Sequence, residues 1–335
     1  MQNVKLGTQG PLVSRAGLGC MAMSGSYGPA DRKEAIATIH MALEAGVTLL
    51  DTGDFYGMGH NEMLISEALR QRGGDNALVS VKFGALRDPA GGWLGFDARP
   101  AAVKTFASYS LQRLGRDHID IYRPARLDPN VPIEDTIGAI AELVEAGTVR
   151  YIGLSEVGPE TLRRAATVHP IADLQIEYSL LSRGIETEIL PACRELGIAV
   201  TAYGVLSRGL LSGHWQGPKG AQDFRAFSPR FQDGNLQRNL ELTDALARLA
   251  EAKNATAAQA ATAWVLTRGD DIVPLIGARD RRRLQESLEA LDLTLTKDDL
   301  AAIERAVPKD AAAGDRYPAH GMATLDSEKP VSGSR

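Results

Sequence analysis

Short apolar runs alternate along this chain with longer stretches whose apolar residues recur every three or four positions. The runs at 16–19, 47–50, 77–82, 119–122, 151–154, 172–176, 197–202 and 272–276 are brief and rich in branched residues. Strands buried on both faces of a parallel sheet read this way. Helical periodicity fills the gaps near 31–45, 61–72, 100–114, 134–147, 158–168, 184–196 and 239–268, with a last stretch at 281–291. Eight strands, each followed by a helix, predict a (β/α)8 TIM barrel, an α/β fold in which residues 1–335 form one domain. An open doubly wound sheet would share the pattern, because periodicity does not show whether a sheet closes. Residues 4–13, with turn signals at Gly7 and Gly10-Pro11, predict a hairpin ahead of the barrel.

A barrel of this kind needs about 250 residues, which leaves room for additions. Two irregular stretches stand out as long loops at its C-terminal face. One, 84–99, is Gly-rich and carries Trp93 and Phe96; the other, roughly 204–237, is rich in Gly, Ser, Pro and Arg. The Gly-, Ser- and Pro-containing end of the chain predicts a mobile tail after about 325.

Function in such a barrel collects just past the strand ends. Asp51 follows the run Val47–Leu50, and Tyr56 lies five residues on in a Gly-containing loop. Lys82 ends the run ALVSVK. A buried ammonium is costly unless paired, so Asp51 on the neighbouring strand is its natural counter-ion. The lysine's charge is then expected to lower the Tyr56 pKa and make the phenol a proton donor. The plain alternative is a structural ion pair beneath a tyrosine wall. The string Gly17-Leu-Gly19-Cys-Met-Ala22 fits a dinucleotide fingerprint, but no helix follows it directly, so it reads as a strand and a close-approach loop instead.

The strings DTGDFYG, VKFG, VRYIGLSE, LQIEYSLLSR, TAYGVLSRGLLSG and VPLIGAR, in this order, resemble the aldo-keto reductases, closest to the branch with pyridoxal reductase and perakine reductase. The resemblance spans about residues 4–318 and implies a barrel that uses NADPH/NADP+ to reduce carbonyls to alcohols. It implies Asp51, Tyr56 and Lys82 as catalytic residues and Tyr203 as the ring stacked on the nicotinamide. Ser155 and Gln175 would hold the carboxamide, with Glu156 standing where Asn is usual. Gly19, Met21, Gly204, Leu206, Arg208 and Gly277 would line the rest of the cofactor, and Tyr56, Trp93 and Ala125 the substrate pocket. The family places a histidine where IDIYRPARLDP has Ala125, a side chain with no donor. His60 is the histidine nearest to the expected site in sequence. A cofactor-binding sensor with little turnover is therefore a second expectation.

Asp280 is a good helix N-cap, which puts Arg281, Arg282 and Arg283 in a first turn, where cations oppose the helix dipole. A bound anion reverses that sign. A 2′-phosphate held by Arg279 and Arg283 would account for the cluster, and the resemblance puts Glu286 and Ser287 at the same adenosine end.

Charge and composition add exclusions. The 335 residues are 44% hydrophobic and 24% charged, with a net charge of −5, so nothing points to a nucleic-acid partner. No apolar run approaches the roughly 18 residues of a membrane span. Cys20 and Cys193 lie in no metal spacing, and no metal is expected. A cytoplasmic enzyme acting on a small-molecule carbonyl compound is the expectation, with self-association to a homo-oligomer left open.

Overall fold

The computed structural model describes residues 1–72, 77–220 and 223–329; residues 221–222 of the second irregular stretch and 330–335 of the tail lie outside the described residues. The sheet closes. Eight parallel strands pair in chain order: β1 (Gly17–Gly19), β2 (Leu49–Gly53), β3 (Leu78–Phe83), β4 (Ile119–Pro124), β5 (Val149–Ser155), β6 (Ile171–Glu177), β7 (Ala199–Tyr203) and β8 (Ile272–Gly277), with β8 hydrogen-bonded back to β1. Closure leaves no edge, and each helix covers the outside of the barrel. The helix Ile133–Glu145 illustrates why: Ile133, Ile137 and Ile140 share one buried stripe, while Glu134 and Asp135 sit in its first turn.

The barrel floor is apolar. Strands Asn3–Lys5 and Leu12–Ser14 pair as the expected hairpin, and their Val4 and Val13, with Leu6, cluster with Leu49, Ile121, Ala199 and Val273 across the bottom of the barrel. One layer higher the interior turns polar, with Asp51, Ser80, Arg123, Asp173 and Thr201 all buried.

Several elements differ from expectation for local reasons. Strand β2 continues to Gly53, so Asp51 lies mid-strand rather than at its end. The stretch 84–99 is not a bare loop but contains a hairpin, Ala85–Arg87 against Trp93–Phe96. The long helix expected at 239–268 is two, Asp233–Glu251 and Ala257–Leu266, because Asn254 turns left-handed and Thr256 and Gln259 form a capping box that starts the second. At 184–196 the helix begins only at Ile189, since Pro191 is tolerated in a first turn and not further in. A helix at Lys297–Ala306, started by a Thr296–Asp299 capping box, completes the outer layer.

The tail is tied down as far as Lys329, against the expectation of mobility after about 325. The Asp326 carboxylate accepts from the Gly158 N–H at 2.9 Å and the Thr161 hydroxyl at 2.7 Å. It thereby caps the helix Pro159–Val168, which has no side-chain cap of its own. Among the described residues, no helix is long and apolar enough to cross a membrane.

Candidate active site

Parallel register brings the catalytic candidates together. Asp51 pairs with Ser80 across β2 and β3, while Lys82 pairs with Gly53 on one side and Arg123 on the other. Side chains two apart on a strand face the same way, so Asp51, Ser80, Lys82 and Arg123 all point inward. Lys82 Nζ donates to Asp51 Oδ2 at 2.6 Å, with both groups buried. The other Asp51 oxygen accepts from the Gln175 side-chain amide at 2.7 Å and from the Ser80 hydroxyl at 3.2 Å. The ammonium lies 5.0 Å from the centroid of the Tyr56 ring.

The electrostatics reverse one expectation. The Tyr56 pKa is raised well above that of a free phenol, first by burial of the hydroxyl and then by Asp51, Tyr27 and Tyr317, with Arg126 opposing. Asp51 neutralises the lysine before its charge can acidify the phenol. Burial lowers the Lys82 pKa, with Asp51 resisting and Arg123 adding to the depression.

Beneath this group lies a second ion pair that the strand patterns did not flag. Arg123 has no exposed surface. It donates to Asp173 at 3.0 Å, Thr201 at 3.2 Å and the Ser80 hydroxyl at 2.9 Å. Gly153 makes room for it: a Cβ there would stand 2.7 Å from Asp173 Oδ1 and 3.0 Å from Arg123 Nε. The available signal was an arginine two positions beyond Ile121, on the inward face and beside Lys82.

At the rim the tail takes over. Glu156 adopts a left-handed backbone (φ 52°), held by its N–H donating to the Gln175 carbonyl at 3.0 Å and its own carbonyl accepting from the Ser327 N–H at 3.1 Å. Its carboxylate accepts from both Arg316 amino groups at 3.0 and 2.9 Å, from the Ser327 hydroxyl at 2.6 Å, from the Tyr203 hydroxyl at 2.6 Å and from the Glu177 N–H at 3.0 Å. Burial pushes the Glu156 pKa up, but Arg316, Arg126 and Ser327 overcome it and hold the group well below the usual carboxylate range. Glu177 is likewise held low against burial by Arg208, Arg316 and Arg230. The Tyr203 hydroxyl also meets that of Tyr317 at 2.9 Å.

The remaining candidates line the same mouth. Gly19 and Gly277 pair at the ends of β1 and β8, and nothing lies within 4 Å of where a Gly277 side chain would stand. Met21 opens a short 3-10 turn after β1, and Ser155 ends β5 with its hydroxyl 3.4 Å from Arg126 Nη1. Gly204 (φ 67°) passes close over Glu177, and Leu206 packs against the core. Arg208 is taken up by Glu177 at 3.3 Å and the Arg316 carbonyl at 2.8 Å. Arg279 donates to the carbonyls of Tyr27 at 3.0 Å and Pro29 at 3.2 Å, which ties the loop after β1 to the end of β8. Arg283 pairs with Glu286 at 3.1 Å, and Glu286 meets His214 at 3.1 Å, while Ser287 is buried. Arg281 is bound to Glu34 rather than open at the helix end. His60 meets Ser24 at 3.0 Å and starts a helix. Trp93 lies half outside, under the Arg87 guanidinium, with its ring 5.9 Å from that of Phe55, which is 4.8 Å from that of Tyr56.

A glycine-lined mouth, an aromatic ring at its side and arginines around a helix N-terminus form a donor set that fits a nicotinamide dinucleotide. Comparison with known proteins agrees. Residues 15–308 match the model of the Aldo/keto reductase family. A probable aldo-keto reductase 1 of Glycine max is 41% identical over 320 residues, which is 95% of this chain and 92% of that protein. A glycerol dehydrogenase from Gluconobacter oxydans is similar in structure with a TM-score of 0.82 and 27% identity, over 99% of this chain and 98% of its own. An aldo-keto reductase from Bacillus halodurans in its holo form gives a TM-score of 0.76 and 29% identity, over 94% and 98% of the two chains. This chain belongs to the aldo/keto reductase family, whose members carry out NAD(P)H-dependent carbonyl reduction.

Proposed function

We propose, on the premise of that membership, that the chain is an NADPH-dependent reductase of aldehydes or ketones in which Tyr56 donates the proton. The observation that carries this reading is the buried Lys82–Asp51 pair, 2.6 Å apart, beneath the Tyr56 ring. When bound, the nicotinamide cofactor supplies a hydride to the carbonyl carbon. Arg279, Arg283 and Ser287 would hold its adenosine end, with Ser155, Gln175 and Tyr203 at the nicotinamide end. Tyr56 stays protonated through the ordinary pH range and so is always loaded. A carbonyl oxygen that gains negative charge becomes far more basic than a phenolate and takes the proton. Lys82 then faces the phenolate left behind, while Asp51, fixed by Gln175 and Ser80, keeps the ammonium in place.

The test is loss of NADPH absorbance with a panel of aldehydes and ketones, in the wild type and in Tyr56→Phe. Turnover should fall by about 10²–10⁴ in the variant while NADPH binding is unchanged. A variant that keeps its rate reduces Tyr56 to a wall. Charge-assisted bonds from Arg279 and Arg283 to a 2′-phosphate contribute roughly 1.5–3 kcal/mol each, so NADPH should bind far more tightly than NADH. Equal dissociation constants for the two would remove the NADP assignment.

Ala125 favours a second reading, a sensor that binds NADP(H) with little turnover. Its methyl side chain has no donor to offer, and its own N–H is spent on the Phe83 carbonyl at 2.8 Å. A wild-type protein that binds NADPH but oxidises it with no carbonyl in the panel would establish this reading.

A further inference from the structure

Next to Ala125 the active mouth carries a cation that feels the charge of Glu156 but touches no carboxylate among the described residues. The Arg126 guanidinium donates to the Ala125 carbonyl at 2.7 Å, the Ser155 hydroxyl at 3.4 Å and the Tyr317 hydroxyl at 3.3 Å. All three acceptors are neutral, and no carboxylate among the described residues forms an ion pair with it. The other rim arginines differ. Arg208 and Arg230 reach Glu177, and Arg316 reaches Glu156, Glu177 and Glu328. The two fully buried carboxylates of this rim are thus already shared among three other guanidiniums. A partly buried guanidinium with no carboxylate in contact is under-satisfied, and its fork of parallel N–H groups matches the two oxygens of a carboxylate.

The position of Arg126 decides whose anion it would receive. It sits beside Ser155 and Tyr317, and Tyr317 touches the Tyr203 hydroxyl at 2.9 Å. Its charge also acts on Tyr56 itself. That is the end of the mouth where carbonyl chemistry belongs, across the barrel from Arg279 and Arg283, which stand beyond β8.

We propose that the carbonyl compound reduced here carries a carboxylate, and that Arg126 binds it and so orients the carbonyl toward Tyr56, the task for which Ala125 offers no donor. This rests on the reductase reading above. Arg126 is a substrate-binding residue that sets specificity, and Tyr56 remains the proton donor.

The experiment compares 3- and 4-formylbenzoate with their methyl esters, using NADPH and the wild type, Arg126→Gln, Arg126→Lys and the double variant Ala125→His/Arg126→Gln. Benzoate, which cannot be reduced, is titrated in parallel against NADP+-loaded protein by tryptophan fluorescence. The wild type should prefer one or both free acids over the esters by about 10- to 100-fold in kcat/KM, the range of a charge-assisted contact. Arg126→Gln should erase the preference through KM and weaken benzoate binding by a similar factor, and Arg126→Lys should restore part of both. The double variant should reduce the esters faster than Arg126→Gln does, without regaining the preference for the acids. NADPH affinity should stay constant throughout. Equal use of acids and esters by the wild type would overturn the proposal, as would an equal loss on both in Arg126→Gln. A fall in NADPH affinity would assign Arg126 to the cofactor and overturn it as well. Failure of the reductase reading looks different: the wild type then reduces neither acids nor esters, and the benzoate titration alone decides whether Arg126 holds a carboxylate.

Discussion

Two buried charge clusters stand one above the other in this barrel, and they are built in opposite ways. The lower one joins Asp51, Lys82, Arg123 and Asp173, two anions and two cations carried by β2, β3, β4 and β6. Every member is fixed by strand register, with Lys82 beside Arg123 and Asp51 beside Ser80. The upper one joins Glu156 and Glu177 to Arg208, Arg230 and Arg316. Its anions come from the barrel, but its cations come from the irregular stretch after β7 and from the tail. The lower cluster can change only if the barrel changes. The upper one can open by releasing a segment, because its cations sit on connections rather than on strands. The difference suits the role proposed above for Lys82 and Asp51, a proton-transfer group held in fixed geometry.

The sharpest way to break the contrast is at Arg123. Arg123→Met leaves Asp173 buried and unpaired, and removing one member of such a pair costs about 3–5 kcal/mol. Urea unfolding should show that loss as a lower midpoint for the whole chain. Arg123→Met/Asp173→Leu should recover most of it, since exchanging both charges for apolar groups is often neutral. A double variant as unstable as the single one would mean that the pair serves more than its own compensation.

Arg316→Gln should cost less, about 1–3 kcal/mol, because Glu177 keeps Arg208 and Arg230 and Glu156 keeps Tyr203 and Ser327. Hydrogen exchange should report faster opening across residues 313–329 with little change in the barrel strands. If the strands lost protection as well, the upper cluster would be part of the barrel's own cooperative unit and the contrast would fail.

The smallest effect expected is with pH. Glu156 and Glu177 both have pKa values held below the ordinary carboxylate range. A depressed acid contributes stability that is present above its unfolded pKa, about 4.3, and is lost as pH falls through its folded value. Tail protection, corrected for intrinsic exchange, should therefore stay flat from pH 8 to 5 and decline only below about pH 4. Release of residues 315–329 near pH 6 would contradict that assignment.

Much of the lower level was legible in the residues themselves. A strand buried on both faces is mostly apolar, so each of the eight runs announced itself within a few positions despite the polar residues some of them carry. Lys82 at the end of such a run required a counter-ion, and Asp51, on the neighbouring strand, was its natural partner. Burial of Lys82 demands this pairing whatever the loops do. The tail was not legible. Its Gly, Ser and Pro content reads as loose chain, and nothing local shows that Asp326 caps a helix that starts at Pro159.

Sequence alone thus determined the eight strand runs, the helices between them and the pairing of Lys82 with Asp51, because those follow from periodicity and from charges that cannot be buried alone. Tertiary structure decided that the sheet closes and which groups surround that pair. Arg316 meets Glu156 across 160 positions of sequence. Tyr56 is turned from an acidified phenol into a firmly protonated one by the surroundings that Tyr27, Tyr317 and Asp51 supply together. A pKa depends on every charge and every desolvating atom within several ångströms, and only the closed fold brings those atoms together.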